Sequence, residues 1–204
     1  MEVRQQITYV AYGQKAINEV SLSIKTLRKH NEYPITVICK ERLSIPDVNY
    51  VEFDDNSFGA RFAKLSMDTL VNNDVIGYID ADTRVHGSLE PAFKIIEMGW
   101  DMALSYSTNQ GGDVLKHINE RERETTLGDN PFPLQLQCGV MFFNRHTCKL
   151  FFGRWRHEWQ KYGNKDQAAF IRALEKQPIK IALLGRPWNG GNIVEHLFGR
   201  AHNY

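Results

Sequence analysis

Cysteine is scarce in this chain and badly spaced for cross-linking. Cys39, Cys138 and Cys148 are odd in number, lie within or beside apolar segments and show no Cys-x-x-Cys spacing, so neither a disulfide framework nor a zinc site is indicated. Long apolar runs are missing as well: no stretch approaches the ~20 residues that a membrane-spanning helix needs. Neither sign of charge is in excess. The 25 Lys and Arg against 24 Asp and Glu leave a net charge of +1, and long-range electrostatics therefore ask for neither nucleic acid nor an acidic membrane. The first residues, Met1-Glu-Val-Arg-Gln-Gln6, enter a strand with no basic-then-apolar leader, and a cytoplasmic, reducing location is the expectation. Repeats and low-complexity tracts are absent. What is present is an ordinary globular composition, 204 residues with 42% apolar content, enough for one domain with a real core.

The apolar pattern alternates strand with helix. Residues 7–12, 34–39, 49–53, 74–79, 101–106, 137–144 and 179–184 read as strands. Helices are expected over 14–29, 59–70 and 145–162, from 164 onward, and from Ser88 as cap, with Pro91 in the first turn, to about Met98. In the first helix Ala16, Ile17, Val20, Leu22, Ile24 and Leu27 take the apolar positions, and in the second Arg61 and Lys64 share a face. Phe151, Phe152, Trp155 and Trp159 are expected in the core. The predicted class is α/β, with a mostly parallel central sheet flanked by helices. The span 107–137 breaks the pattern, being polar, glycine-dotted and charged, with a helix expected over 114–123. A connection of that length is either a functional lid or a disordered segment.

Residues 74–79, Asp-Val-Ile-Gly-Tyr-Ile, form an apolar run without alternation, as in a strand buried on both faces. Asp80 and Asp82 stand where that strand runs out. Ligands of open α/β sheets bind beyond the carboxyl ends of the strands, and residues two apart on an extended chain point to one side. Two carboxylates then face one crevice. A cation relieves their repulsion, and a hard divalent ion with oxygen ligands is the natural partner. Two solvated aspartates opening a turn is the other reading of Asp-x-Asp taken alone.

In order along the chain stand Arg61-x-x-Lys64, Tyr78-Ile-Asp-Ala-Asp-Thr83, Gln137-Cys-Gly-Val-Met-Phe-Phe-Asn144, Asp166-Gln167, Trp188-Asn189 and His196-Leu-Phe-Gly199. That series resembles the nucleotide-sugar glycosyltransferases with the glycosyltransferase A fold, and within them the glycogenin-like and bacterial galactosyltransferase-like enzymes of glycosyltransferase family eight. The resemblance spans about residues 7–199 and implies a single-domain, Rossmann-like glycosyltransferase A fold over 1–204. It implies metal-dependent transfer of a hexose from a nucleoside diphosphate sugar, a UDP-hexose first among them, to an acceptor hydroxyl, with retention at the anomeric carbon. The acceptor class stays open among glycan, lipid, protein and modified nucleobase.

The resemblance also implies roles for single residues. Asp80, Asp82 and His196 would be the metal ligands, with Asp80 shared between the ion and the ribose, and the imidazole favours Mn²⁺ somewhat over Mg²⁺. Arg61 and Lys64 would orient the donor sugar and its phosphates. Ala11, Tyr12 and Gly13 would cradle base and ribose, and Ala81, Trp188 and Asn189 would complete the donor site. Gly139 would lie in the strand behind the donor sugar, and Asp166 and Gln167 near the reacting anomeric carbon. The span 107–137 becomes an acceptor-side lid and 185–204 a loop closing over the donor.

For His196 a solvated surface histidine is the alternative, with His202 as substitute ligand; for Asp166 it is a helix cap. Two departures from the family stand out: Gln137-Cys138-Gly139 replaces Asn-Ser-Gly, and Arg200-Ala-His-Asn-Tyr204 replaces the final Lys-Pro-Trp, leaving Arg200 as the substitute for a phosphate-gripping lysine. A haloacid-dehalogenase-like phosphatase would need Thr where Arg84 stands, and would place its Asp-x-Asp near the chain start. A pyrophosphorylase would need a glycine-rich loop where Tyr12-Gly-Gln-Lys15 stands. A non-catalytic sugar-nucleotide-binding protein is the remaining rival, and intact Asp80, Asp82 and His196 argue against it.

Overall fold

The computed structural model describes residues 3–42, 44–54, 59–106, 115, 118–128, 133–163 and 165–198. In chain order the strands are β1 (Gln5–Ala11), β2 (Ile35–Cys39), β3 (Asn49–Glu52), β4 (Val75–Ile79), β5 (Thr83–Val85), β6 (Met102–Tyr106), β7 (Leu136–Asn144), β8 (Ile181–Leu184) and β9 (Val194–His196). The helices are α1 (Gly13–Leu27), α2 (Gly59–Leu65), α3 (Met67–Leu70), α4 (Glu90–Glu97), α5 (Glu120–Leu127), α6 (Lys149–Gln160) and α7 (Asp166–Lys176). Seven strands form one sheet in the order β3-β2-β1-β4-β7-β6-β8, and β5 and β9 make a separate two-stranded ribbon. Pairing within the large sheet is parallel except where β7 runs against β4 and β6. This is the mostly parallel sheet that the unalternating apolar runs predict.

Successive residues of β7 feed opposite cores. Val140 and Phe142 join α1 and α4 side chains such as Val20, Ile24 and Phe93 on one face. Met141 and Phe143 join Leu65, Phe151, Trp155 and Phe170 on the other. Phe151, Phe152, Trp155 and Trp159 are all buried there, as their helical spacing predicts.

Several boundaries differ from the sequence reading for local reasons. The buried face of α1 is Glu19, Val20, Ser23, Ile24 and Leu27, while Leu22 is 47% exposed. The helix expected over 59–70 is two, broken at Ser66. Arg156 grips that break, donating from Nη1 to the Leu65 carbonyl at 2.7 Å and pairing with the Asp68 carboxylate through both terminal nitrogens. Ser88 sits one residue before the α4 cap Leu89, and its Oγ accepts from the Glu90 amide at 3.2 Å. Asn144 Oδ1 accepts from the amides of His146 and Thr147, a turn that delays α6 to Lys149. Within 107–137, residues 107–114, 116–117 and 129–132 lie outside the described residues, and the helix is at Glu120–Leu127, later than expected. Buried Arg172 ties α5 to the rest, donating to Thr126 Oγ1 at 2.5 Å, to Glu122 Oε1 at 3.2 Å and to the Glu158 carbonyl at 3.0 Å.

Candidate metal and donor site

The site begins where β4 stops. The Asp80 amide still donates to the Gly139 carbonyl at 2.7 Å, so the chain leaves the sheet one residue beyond the strand. Tyr78 donates its hydroxyl to Asp80 Oδ1, and Thr83 Oγ1 donates to the Asp80 carbonyl at 2.9 Å. This turn leads into β5, whose register with β9 sets Thr83 opposite His196. The Leu197 amide closes the join, donating to the Asp82 carbonyl at 2.9 Å. His196 is thereby brought to the two aspartates from more than a hundred positions away in the chain.

His196 Nε2 lies 3.1 Å from Asp82 Oδ1 and 3.7 Å from Asp80 Oδ2, and one ligand atom from each of the three residues falls within 4.8 Å of the others. Behind the ring, Nδ1 is 2.8 Å from Asn189 Oδ1. That contact holds the ring so that Nε2 faces the carboxylates, as an outer hydrogen bond orients a metal-ligating histidine. One imidazole nitrogen and two carboxylates turned to a common point suit a cation between them, so the residues fit a divalent ion. Phe198 stacks on His196 with centroids 4.1 Å apart and planes at 17°. Gly139 presses on the cluster from the sheet: a Cβ there would lie 2.3 Å from His196 Cε1 and 2.7 Å from Asp80 Oδ2.

Beside this cluster is a buried ion pair. Lys64 Nζ is 2.8 Å from Asp166 Oδ2 and 3.6 Å from Asp80 Oδ1, and Arg61 Nε is 3.6 Å from Asp166 Oδ1. Burial alone would lower the Lys64 pKa, but the carboxylates of Asp166 and Asp80 outweigh it and hold the value above the ordinary lysine range. Burial alone would raise Asp166, yet Lys64 and then Arg61 hold it below the ordinary carboxylate range. Asp166 is the first residue of α7, one after the N-cap Lys165, and its carboxylate pairs with Lys64 and Arg61. The Trp155 indole donates to its carbonyl at 2.9 Å. Burial, reinforced by Asp80, pushes the Tyr78 hydroxyl well above its usual value, so it remains a donor to Asp80.

A cavity of about 910 Å³ opens over these groups. Of the residues singled out in the sequence, Tyr12, Arg61, Lys64, Asp80, Ala81, Asp82, Asp166, Gln167 and His196 line it. Ala11, Gly13, Gly139, Trp188 and Asn189 are not on its wall. Ala11 is core, Gly13 opens α1 at φ 80°, Trp188 packs edge-on against Phe142 at 5.8 Å, and Asn189 is wholly buried behind His196. Gly199, Arg200 and His202 lie outside the described residues. Sequence reasoning missed Lys15, Glu19, Lys165 and Phe198 on the wall. Glu19 had a signal, a carboxylate within the buried stripe of an amphipathic helix; the others had none beyond their neighbours.

A mostly parallel sheet interrupted by one antiparallel strand, with Asp-x-Asp leaving its central strand toward a histidine-bearing ribbon, is the glycosyltransferase A fold. Solved structures share it. The galactosyltransferase LgtC, solved with donor and acceptor sugar analogues, superposes with a TM-score of 0.63 at 12% identity, over 89% of this chain and 73% of that one. Mouse xyloside xylosyltransferase 1 gives 0.61 at 12% identity, over 91% and 86%. The glycosyltransferase GlyE of Streptococcus pneumoniae TIGR4 gives 0.63 at 14% identity, over 92% of this chain and 46% of that one. No family model matches the sequence, and no curated protein does. Among the described residues no helix is long and apolar enough to cross a membrane.

Proposed function

We propose that this protein is a metal-dependent glycosyltransferase of the family-eight type, moving a hexose from a nucleoside diphosphate sugar, a UDP-hexose in the first instance, to an acceptor hydroxyl with retention. The observation that carries the reading is the convergence of Asp80, Asp82 and His196 on one point of a cavity that also holds a buried Lys64–Asp166 pair. Asp80, Asp82 and His196 would hold Mn²⁺ or Mg²⁺, which supplies positive charge to a departing diphosphate. The chain's own residues do the rest. Arg61, 40% exposed at its side chain, is a cation on the wall with room to meet a sugar or phosphate oxygen. Lys64 keeps Asp166 ionised, so the sugar end of the cavity presents a carboxylate, with the Gln167 amide beside it. A carboxylate so placed steadies the positive character that grows at an anomeric carbon as its bond to phosphate lengthens. The span 107–137 serves as the acceptor-side lid, and 185–204 as the loop that closes the donor site.

The test is a thermal-shift panel of nucleoside diphosphates and nucleotide sugars with and without Mn²⁺, repeated on Asp82→Ala. Ligand at a hundred times its Kd stabilises by about 2.7 kcal/mol, a shift easily read. The expected result is stabilisation by one nucleotide class that requires the metal and disappears in a folded Asp82→Ala. A folded variant that keeps both the shift and full transfer activity would overturn the metal assignment.

A further inference from the structure

One carboxylate on the cavity wall is nearly buried yet half unused. Glu19 is 7% exposed and lines the cavity from α1. Its Oε2 accepts from Arg84 Nη2 at 2.8 Å, and Arg84 Nη1 is taken by the Thr83 carbonyl at 2.7 Å. No described residue donates to Oε1. The arginine neutralises the group and fixes its plane, so the open oxygen is a preset acceptor. That oxygen opens to the cavity rather than into the packed interior, where a ligand N–H or O–H can meet it.

The place of Glu19 along the wall says which part of a ligand meets it. Contacts run in series from Asp166 to Lys64, Asp80, His196 and Asp82. Arg84, two residues after Asp82, ends the series at Glu19. Arg61 and Lys64 thus stand on the α2 side of the cavity, the cluster of Asp80, Asp82 and His196 suits a cation with its phosphates, and Lys15 and Glu19 stand on the α1 side, where Arg84 offsets the charge of Glu19 and leaves it an acceptor. We propose that Glu19 is the specificity residue that reads the nucleoside half of the donor, accepting a hydrogen bond from a ribose O–H or a base N–H. This rests on the donor being a nucleoside diphosphate sugar. A carboxylate that hydrogen-bonds a nucleoside discriminates strongly, because an analogue lacking the donor leaves the acceptor unpaired.

The test is calorimetric titration, with Mn²⁺ present, of UDP, GDP, ADP, CDP and inorganic pyrophosphate into the wild type and Glu19→Gln. The amide keeps the shape and an oxygen for Arg84 but turns an N–H toward the ligand. Glu19→Gln is expected to bind the preferred nucleoside diphosphate about ten- to a hundredfold more weakly, with pyrophosphate binding unchanged. The 2′-deoxy and 3′-deoxy forms of that nucleotide locate the contact: a penalty present in the wild type and lost in the variant identifies the ribose, whereas lost discrimination among bases identifies the base. A variant that keeps both discriminations and full affinity overturns the proposal and leaves the glycosyltransferase reading standing. Equal weakening toward pyrophosphate also overturns it, since Glu19 would then act on the whole site. A wild type that binds pyrophosphate but no nucleotide overturns both.

Discussion

Replacing Lys64 by methionine keeps the volume of a buried side chain and deletes its charge. Lys64 and Asp166 are 8% and 5% exposed and meet at 2.8 Å. At an effective dielectric of about 20, unit charges at that distance attract by roughly 6 kcal/mol before desolvation is counted. Breaking a buried pair by removing one partner costs about 3–5 kcal/mol, because the other charge is left buried. Arg61 at 3.6 Å remains to compensate in part, which places the expected loss near ~3 kcal/mol, a large share of a typical domain's ~5–15 kcal/mol.

The pH dependence of that loss separates a buried charge from a mere packing defect. In the wild type Asp166 is lowered when folded, so its contribution is present above the unfolded carboxylate value and is lost as pH falls through the folded one. Lys64 is raised when folded, so its contribution is present below the unfolded lysine value and is lost as pH rises through the folded one. Across neutral pH the pair is intact. In Lys64→Met the burial of Asp166 remains while its main counter-charge is gone, so its pKa rises and protonation relieves the variant. Urea unfolding in EDTA, followed by tryptophan fluorescence, should show the deficit at pH 7 shrinking toward pH 4. The double variant Lys64→Met/Asp166→Asn should recover most of it, since a neutral pair leaves no buried charge. A deficit that is the same at both pH values, or a double variant no better than the single, would refute this account of the pair.

Two further variants probe the surroundings of the site. Gly139→Ala puts a methyl group 2.3 Å from His196 Cε1 and 2.7 Å from Asp80 Oδ2; a Mn²⁺ titration should show ligand binding lost in a protein that still folds, and unchanged affinity would mean the cluster has slack. Glu158 is buried among Lys161, Lys176 and Arg172, and although burial alone would raise it, the Lys161 and Lys176 hydrogen bonds lower it from 4.5 to about 2. At about 1.4 kcal/mol for each tenfold change in proton affinity, this is worth ~3 kcal/mol, present above pH ~4.5 and lost toward pH ~2. Glu158→Gln should therefore be less stable at pH 7 and lack that acid limb in its stability profile; a profile parallel to the wild type's would exclude the network as its source.

The parts of this molecule that were legible in sequence are those set by local periodicity. Unalternating apolar runs mark the sheet strands, and the end of one of them places Asp80 and Asp82. Direction of pairing was not legible: β7 has the same apolar run as the parallel strands, and only the tertiary path turns it antiparallel. The broken helix at 59–70 was hidden because its break is held by Arg156, about ninety positions away. Glu19 is hard to read from sequence for a related reason. Its position in the helix reads as an interruption of an apolar stripe until Arg84 is seen to neutralise it.

Trp188 and Asn189 show how the same residues can serve a site without touching a ligand. The ribbon that delivers His196 is short, since β9 spans three residues and pairs with β5, and a two-stranded ribbon of that length is marginal unaided. Trp188 supplies the anchor, inserting edge-on against Phe142 of the central sheet, and Asn189 then meets Nδ1 of His196 at 2.8 Å. The histidine is thus held from behind by a residue fixed in the core and from the sheet side by the close approach of Gly139. Its Nε2 edge faces Asp80 and Asp82 at the cavity wall. Ordering by burial at one end and by hydrogen bonding at the ring keeps His196 converged on Asp80 and Asp82 from a remote part of the chain, and such preorganisation lowers the entropic cost of binding whatever the three side chains hold.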